Sequence, residues 1–376
     1  IYNMKNSSFN KRLIALRDKL SGKSPDTVWI IQPENRKYLS GFMADDPQLN
    51  ESAGSLLISK KKAFLITDSR YTIEAQREAV DFDVITLKDD LIEELPDILT
   101  RLRTKRLGFN EDYLSWALHR RLAKKLKGLS PPIRLTPLNK LIDIMREVKD
   151  QSEIDAMETS SRKMSNILSD VIAGLEPGRT EIEIAREIER RAYQAGSEGM
   201  AFPPIVASGP NGALPHAVPT KRKIRLKEPI IFDVGLKWKG YCCDMTRTIF
   251  LGTPGPKFRK IYRTVREAQL SALGHIRPGV MSTQPDSIAR EIIKEAGFGD
   301  YFGHSLGHGV GLATHEAPRL SPRKPVKLEK GMVVTVEPGI YIPGKGGVRL
   351  EEMVVIEEDG PRILTKNKHF YEFRNR

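Results

Sequence analysis

Cysteine is almost absent from this 376-residue chain: Cys242 and Cys243 stand side by side, and there are no others. Adjacent residues cannot readily close an unstrained disulfide. The pair also gives no zinc-type spacing. A disulfide scaffold is therefore excluded, and a reducing, cytoplasmic setting is expected. Long apolar runs are missing too. No segment reaches the roughly 18 apolar residues of a membrane span. Ile1 to Arg12 is polar, without the apolar core of a secretory signal. Aromatic residues make up only 7%, and no basic run is interleaved with stacking rings.

What is present is ordinary globular material, 39% hydrophobic and 29% charged. At roughly 150 residues per domain, the length suggests two or three domains. The formal charge of +13 raises nucleic acid as a partner. The excess is dispersed, however. Residues 1–146 carry 26 Lys and Arg against 19 Asp and Glu, and the remainder carries 35 against 29. The runs at Lys60–Lys62, Arg101–Arg106, Arg120–Lys127 and Lys221–Lys227 read as solvated faces. Neither a nucleic-acid nor a membrane partner is expected.

The first part of the chain alternates strand and helix patterns. Leu13, Leu16 and Leu20 fall at helical spacing. Thr27–Ile31 is a short apolar strand. Ser55–Ile58 and Ala63–Thr67 flank a lysine turn and read as a hairpin. Helical stretches at Tyr71–Val80 and Leu91–Arg103 separate strands at Asp83–Thr86 and Arg106–Phe109. This predicts an α/β layer domain over residues 1–135. A break near Leu129–Pro132 and a short helix from Leu138 to Arg146 lead into a second unit, 136–376. Asp150–Ala173 is helical, and Thr180 with Glu183 has the spacing of a capping box for the next helix. From Ala201 onward, glycine, proline and histidine become dense.

Carboxylates sit near the ends of strand-like segments there. Pro229–Gly235 carries Asp233 and Gly240–Phe250 carries Asp244. A hairpin centred between Trp238 and Lys239 puts these two acids directly opposite, roughly 5 Å apart at Cβ. Like charges so placed need a shared proton or a cation. Met332–Val336 ends at Glu337, and Val348–Ile356 carries Glu351 and Glu352. The two hairpins form a candidate internal repeat that brings four carboxylates together. An oxygen-rich set with one imidazole suits hard or borderline divalent ions such as Mn²⁺. Two such ions would activate water and polarise a carbonyl. The competing reading is that these acids simply face water.

Of seven histidines, four lie in windows crowded with glycine and proline. His304 and His308 are four apart, but their glycines argue against a helix. His315-Glu316 begins a helical zinc motif that Arg319 and Pro318 do not complete. His216 lies in the loop-like Ser208–His216. Each, taken singly, reads first as a structural side chain.

Together these segments resemble the pita-bread metallopeptidases. The resemblance is carried by Phe232–Gly235, Gly240–Thr248, Gly307–Leu312, His315-Glu316, Val336–Gly339 and Gly347–Glu351, within its Xaa-Pro aminopeptidase and prolidase branch. Asn35–Phe42 and Thr67–Tyr71 are similar to the creatinase-type N-terminal domain. The implied fold is an α/β creatinase-type N-terminal domain followed by an α+β pita-bread catalytic domain with a pseudo-twofold repeat. The resemblance implies that Asp233 chelates one metal, Asp244 and Glu351 bridge both, and His308 and Glu337 hold the other. His216 and His315 would line the substrate and stabilise the tetrahedral intermediate. His304 and Arg349 would support the site on the substrate side, and Glu337 would also shuttle a proton. The cofactors implied are two divalent ions, Mn²⁺ first, with Co²⁺, Zn²⁺ or Fe²⁺ as alternatives. Glu352 stands where the family often has aspartate. Strand alternation turns it away from the site, so little effect is expected.

The leading expectation is a dinuclear peptidase that cleaves before proline in a peptide's second position, an Xaa-Pro aminopeptidase acting as a homodimer. The alternative is an Xaa-Pro dipeptidase (prolidase) restricted to dipeptides. Arg319 bears on this choice, because similar prolidases place an arginine there near the substrate carboxylate. A non-catalytic binding module ranks lower, since all five ligand types are present. So does a metal-free hydrolase of the creatinase kind. The long N-terminal domain disfavours a methionine aminopeptidase.

Overall fold

A computed structural model describes residues 8–20, 25–44 and 52–370. The chain divides into two compact units, Ile1–Met145 and Arg146–Arg376. Unit 1 is built on one mixed sheet. Its strands are β1 (Thr27–Ile30), β2 (Ser55–Ser59), β3 (Ala63–Thr67), β4 (Asp83–Thr86), β5 (Arg106–Phe109) and β6 (Arg134–Pro137), in the order β4-β3-β2-β1-β5-β6. The helices of this region are α1 (Ser8–Lys19), α2 (Pro33–Ser40), α3 (Thr72–Glu78), α4 (Leu91–Arg101), α5 (Trp116–Lys127) and α6 (Leu141–Glu147). Leu95, Leu99, Leu122 and Leu126 from α4 and α5 pack with Trp29, Leu57 and Ile66 of the sheet.

The division falls ten residues beyond the boundary read at 135/136, and the proline-rich break at Leu129–Pro132 is a loop inside unit 1. The reason is pairing. β6 joins β5 in parallel, the amide of Leu138 donates to the carbonyl of Phe109 at 2.9 Å, and Leu138 and Ile142 are buried.

Unit 2 repeats one pattern, as expected of a pita-bread domain: two helices, then an antiparallel sheet. In the first half, α7 (Gln151–Ala173) and α8 (Glu181–Gln194) precede β7 (Ile205–Ser208), β8 (Pro229–Val234), β9 (Lys237–Trp238), β10 (Tyr241–Cys242) and β11 (Met245–Phe250). In the second, α9 (Pro256–Leu273) and α10 (Thr283–Glu295) precede β12 (Gly307–Gly309), β13 (Glu316–Leu320), β14 (Val333–Val336), β15 (Gly339–Ile342), β16 (Gly346–Arg349), β17 (Glu352–Glu357) and β18 (Gly360–Ile363). The larger sheets run β11-β8-β7 and β13-β12-β14-β17-β18. The starts of α7 and α8 carry complete capping boxes, Asp150 with Glu153 and Thr180 with Glu183. Such a cap contributes about 1 kcal/mol. Glu153 does more than cap: its other oxygen accepts the Tyr241 hydroxyl at 2.8 Å, tying the β9–β10 hairpin to α7.

The first hairpin is shifted from the expected register. Lys239 and Gly240 have φ of 53° and 81°, so these two residues form the turn. Tyr241 therefore faces Trp238, and Thr246 rather than Asp244 faces Asp233. Continuing the same register places Asp244 opposite Gly235. Asp233 and Asp244 still share a face, because Asp244 and Thr246 are two residues apart. They are diagonal neighbours instead of a direct pair. In the second sheet Val336 faces Glu352, and the register extended by one residue brings Glu337 opposite Glu351. The β15–β16 hairpin is inserted between those two acids.

Gly235 is where the fold meets the site. A Cβ there would lie 2.1 Å from the carbonyl oxygen of Cys243, within the segment that presents Asp244. Gly235→Ala should lower stability by about 1–3 kcal/mol in urea unfolding, as overpacking does. Gly303→Ala, whose added Cβ meets nothing within 4 Å, should change it by less than about 0.5 kcal/mol.

Candidate active site

Five polar side chains from different elements converge on one cleft of about 570 Å³. Asp233 comes from β8, Asp244 from the step between β10 and β11, and His308 from β12. Glu337 follows β14 and Glu351 precedes β17. Ligand atoms of Asp244, His308 and Glu351 lie within 4.8 Å of one another. Nε2 of His308 is 3.3 Å from Glu337 Oε1 and 3.7 Å from Asp244 Oδ2.

Neighbours on the same strand faces hold these groups. The Thr246 hydroxyl donates to Glu351 Oε2 at 2.8 Å, and the Thr335 hydroxyl donates to Glu337 Oε1 at 3.3 Å. Each threonine is two residues from a site carboxylate, a pattern strand alternation makes readable. Arg349 donates Nη2 to Asp233 Oδ2 at 2.7 Å and Nη1 to the Tyr341 hydroxyl at 2.9 Å. Tyr341 Oη is also 2.9 Å from His304 Nε2, while His304 Nδ1 is 2.8 Å from the carbonyl of Ser305. A carbonyl only accepts, so in neutral His304 Nδ1 carries the proton and Tyr341 donates to Nε2. Burial pushes the Tyr341 phenol up to about 12, which keeps that donor protonated. Tyr341 belongs to the inserted hairpin, and nothing in its sequence surroundings marks it for this role.

The same reasoning fixes His308. Its Nδ1 faces the carbonyl of Gly309 at 3.1 Å, so that once Nε2 gives up its proton the lone pair left there is aimed among the acids. Burial, then the negative charge of Glu351, lifts the Asp244 carboxyl well above its ordinary range. Burial, then Glu337, does the same to Glu351. For Glu337 burial works against ionisation, but the hydrogen bond and charge of His308 overcome it and hold the carboxyl low. Among the described residues, the one permanent cation hydrogen-bonded to any of these four carboxylates is Arg349. Oδ1 of Asp233 is buried without a hydrogen-bond partner. An orphaned acceptor, an excess of buried acid and a correctly oriented imidazole fit divalent cations, and the oxygen-rich donors fit hard or borderline ones.

The remaining expected residues line the same cleft. His315 stacks edge-on against His308 with ring centroids 4.3 Å apart. His216 is exposed on its loop and lines the cleft, as do Phe202, Pro203 and Val218. Arg319 pairs in register with His308 across β12 and β13, on the cleft side. Among the described residues no acid forms an ion pair with Arg319.

Glu316 stands beside His315 for a reason the sequence does not disclose. Its carboxylate meets Arg146 Nη2 at 2.5 Å and Lys149 Nζ at 2.7 Å, and both cations are buried. It also fills the space a side chain at Gly311 would need. The pair of cations pins the loop that carries His315.

Most of the chain is similar to known proteins. The model of metallopeptidase family M24 matches residues 155–358, and that of the creatinase/prolidase N-terminal domain matches residues 12–148. An Xaa-Pro dipeptidase from Pyrococcus furiosus is 37% identical over 359 residues, 95% of this chain and 98% of the relative. Among solved structures, an Xaa-Pro dipeptidase from Bacillus anthracis superposes with a TM-score of 0.86 at 35% identity, over 95% of this chain and 96% of that one. An X-Pro aminopeptidase from Thermotoga maritima gives a TM-score of 0.83 at 36% identity, over 93% and 97%.

The ionised state of Glu316 has a stability consequence. Burial opposes ionisation, but Lys149 and then Arg146 overcome it, so the folded carboxyl titrates below its ordinary value. Its contribution is present above the ordinary glutamate range near pH 4.3 and is lost as pH falls through the lower folded value. Glu316→Gln should cost about 3–5 kcal/mol at neutral pH, because two buried cations lose their partner. In urea unfolding that deficit should shrink steadily as the pH is taken below about 4.

Proposed function

The chain belongs to metallopeptidase family M24, and from that premise we propose that it is an Xaa-Pro dipeptidase, hydrolysing the imide bond between a first residue and a C-terminal proline. The order of the two subclasses is reversed from the sequence reading, which put the aminopeptidase first. Relatives named Xaa-Pro dipeptidase or prolidase favour this order. The observation that carries it is Arg319, a cleft-lining cation with no acidic partner among the described residues, opposite His308. A dipeptide bound across the site offers its terminal carboxylate to such a group. A longer peptide has no carboxylate at that distance.

Asp233, Asp244, His308, Glu337 and Glu351 would hold two divalent ions, with Mn²⁺ best suited to the oxygen-rich set. When bound, these ions supply Lewis acidity to the attacking water and to the scissile carbonyl. The chain's own groups do the rest. Glu337, held ionised by His308, accepts a proton from water and returns it to the proline nitrogen as the C–N bond breaks. His315 and His216 reach the carbonyl side, where an N–H would stabilise developing oxyanion charge. Arg349 and Tyr341 keep Asp233 and His304 in place. Phe202, Pro203 and Ile205 give the cleft an apolar wall suited to a proline ring.

The homodimer and the cytoplasmic location expected from the sequence belong to the same proposal. Both cysteines are buried and unbridged, and no helix among the described residues is long and apolar enough to cross a membrane.

Chelation should abolish hydrolysis of an Xaa-Pro dipeptide, and Mn²⁺ or Co²⁺ should restore it. Asp244→Asn should lose bound metal by elemental analysis as well as rate. Full activity in verified metal-free protein would overturn the metal reading.

Subclass is tested by comparing a Xaa-Pro dipeptide with a Xaa-Pro tripeptide. The reconstituted chain should cleave the dipeptide and leave the tripeptide nearly intact. Arg319→Ala should raise KM for the dipeptide roughly ten- to hundredfold, the equivalent of one charge-assisted hydrogen bond of about 1.5–3 kcal/mol. Equal handling of both peptides by the unaltered chain would return the aminopeptidase to first place.

A further inference from the structure

The strand face behind the cleft holds a buried ion pair that the chemistry above does not use. Arg247, next to Thr246 on β11, is fully buried. Its Nη1 donates to the carbonyl of Glu351 at 2.5 Å. Its Nη2 donates to the Glu352 carboxylate at 3.1 and 3.2 Å and to the carbonyls of Thr365 and Asn367 at 3.2 and 2.9 Å. Glu352, 3% exposed, also takes the hydroxyl of Thr365. The ring of Phe370 covers the assembly, with the guanidinium carbons of Arg247 and Arg266 at 4.3 and 3.7 Å from its centroid.

Glu352 does turn away from the site, as alternation requires, but it does not reach water. A buried ion pair is a poor stabiliser, because desolvation consumes most of its attraction. What this pair offers is position. Glu351 lies between β16 and β17, outside either strand's ladder, and three contacts from two consecutive residues hold it. Its amide donates to the carbonyl of Thr246 at 3.1 Å, its carboxylate takes the Thr246 hydroxyl at 2.8 Å, and its carbonyl takes Arg247 at 2.5 Å. Arg247 is in turn held in place by Glu352 and by the carbonyls of the C-terminal segment.

We infer that Arg247, fixed by Glu352 and the segment Thr365–Phe370, is a positioning residue that sets Glu351 for divalent-cation binding. The inference rests on the metal reading above. Groups that orient a metal ligand from behind typically govern affinity by roughly ten- to hundredfold.

The test is calorimetric titration of Mn²⁺ into the full metal-stripped chain, below its unfolding temperature, with near-ultraviolet circular dichroism to verify the fold. Glu352→Gln and Arg247→Lys should each raise the Mn²⁺ Kd roughly ten- to hundredfold. Glu352→Asp, which keeps the charge, should recover part of the loss. Glu187→Gln removes an ion-pair partner of Arg179 and Arg191 far along α8 and should leave the Kd unchanged. If Arg247→Lys does not fold, Thr365→Val decides, since it deletes one hydroxyl contact to Glu352 and should still weaken Mn²⁺ binding. Folded variants with the unaltered Kd would overturn the inference alone. An unaltered chain that takes up no Mn²⁺ would overturn the metal reading and this inference with it.

Discussion

Everything in the catalytic unit is arranged around one electrostatic conflict. Asp233, Asp244, Glu337 and Glu351 share a desolvated space, and among the described residues Arg349 is the only permanent cation hydrogen-bonded to one of their carboxylates. Like charges at such distances raise one another's proton affinity and cannot all ionise. Burial with mutual repulsion lifts the Asp244 and Glu351 carboxyls, while His308 holds Glu337 low. The site is thus poised to exchange protons for metal. An imidazole whose Nδ1 is committed to a backbone carbonyl can contribute to that exchange only through Nε2.

The fold pays for holding the acids together by bracing each from its own strand. Thr246 and Thr335 sit two residues from site carboxylates and bond to Glu351 and Glu337. Behind them the framework is anchored elsewhere: Tyr241 to the α7 capping box, Glu316 to two buried cations, Arg247 to the C-terminal segment. Each anchor ties the reactive loops to helices or to the chain's end.

Much of this is legible in the sequence, for specific reasons. Period-two alternation makes Asp233 and Asp244 neighbours in any antiparallel pairing that keeps them on one face, so their proximity survives a wrong register. The register itself is hidden because Lys239, a non-glycine, adopts a left-handed conformation that local sequence does not announce. Tyr341 is invisible for a related reason: it lies on a hairpin inserted between Glu337 and Glu351, and its partners are set by tertiary packing. Glu352 shows the limit of facial arguments. Alternation gives its direction correctly, yet says nothing of whether that direction leads to water or to Arg247. The domain boundary failed similarly, because a proline-rich loop looks like a linker until β6 is seen to pair with β5.

The most direct measurement is the count of protons released as metal enters. Mn²⁺ titrated calorimetrically into the stripped chain, in two buffers of different ionisation enthalpy, reports stoichiometry and proton release together. About two ions should bind per chain, with net proton release at neutral pH as the lifted carboxyls and the His308 imidazolium give way to metal. No uptake, or uptake without proton release, would contradict the view that buried acids awaiting cations organise this site.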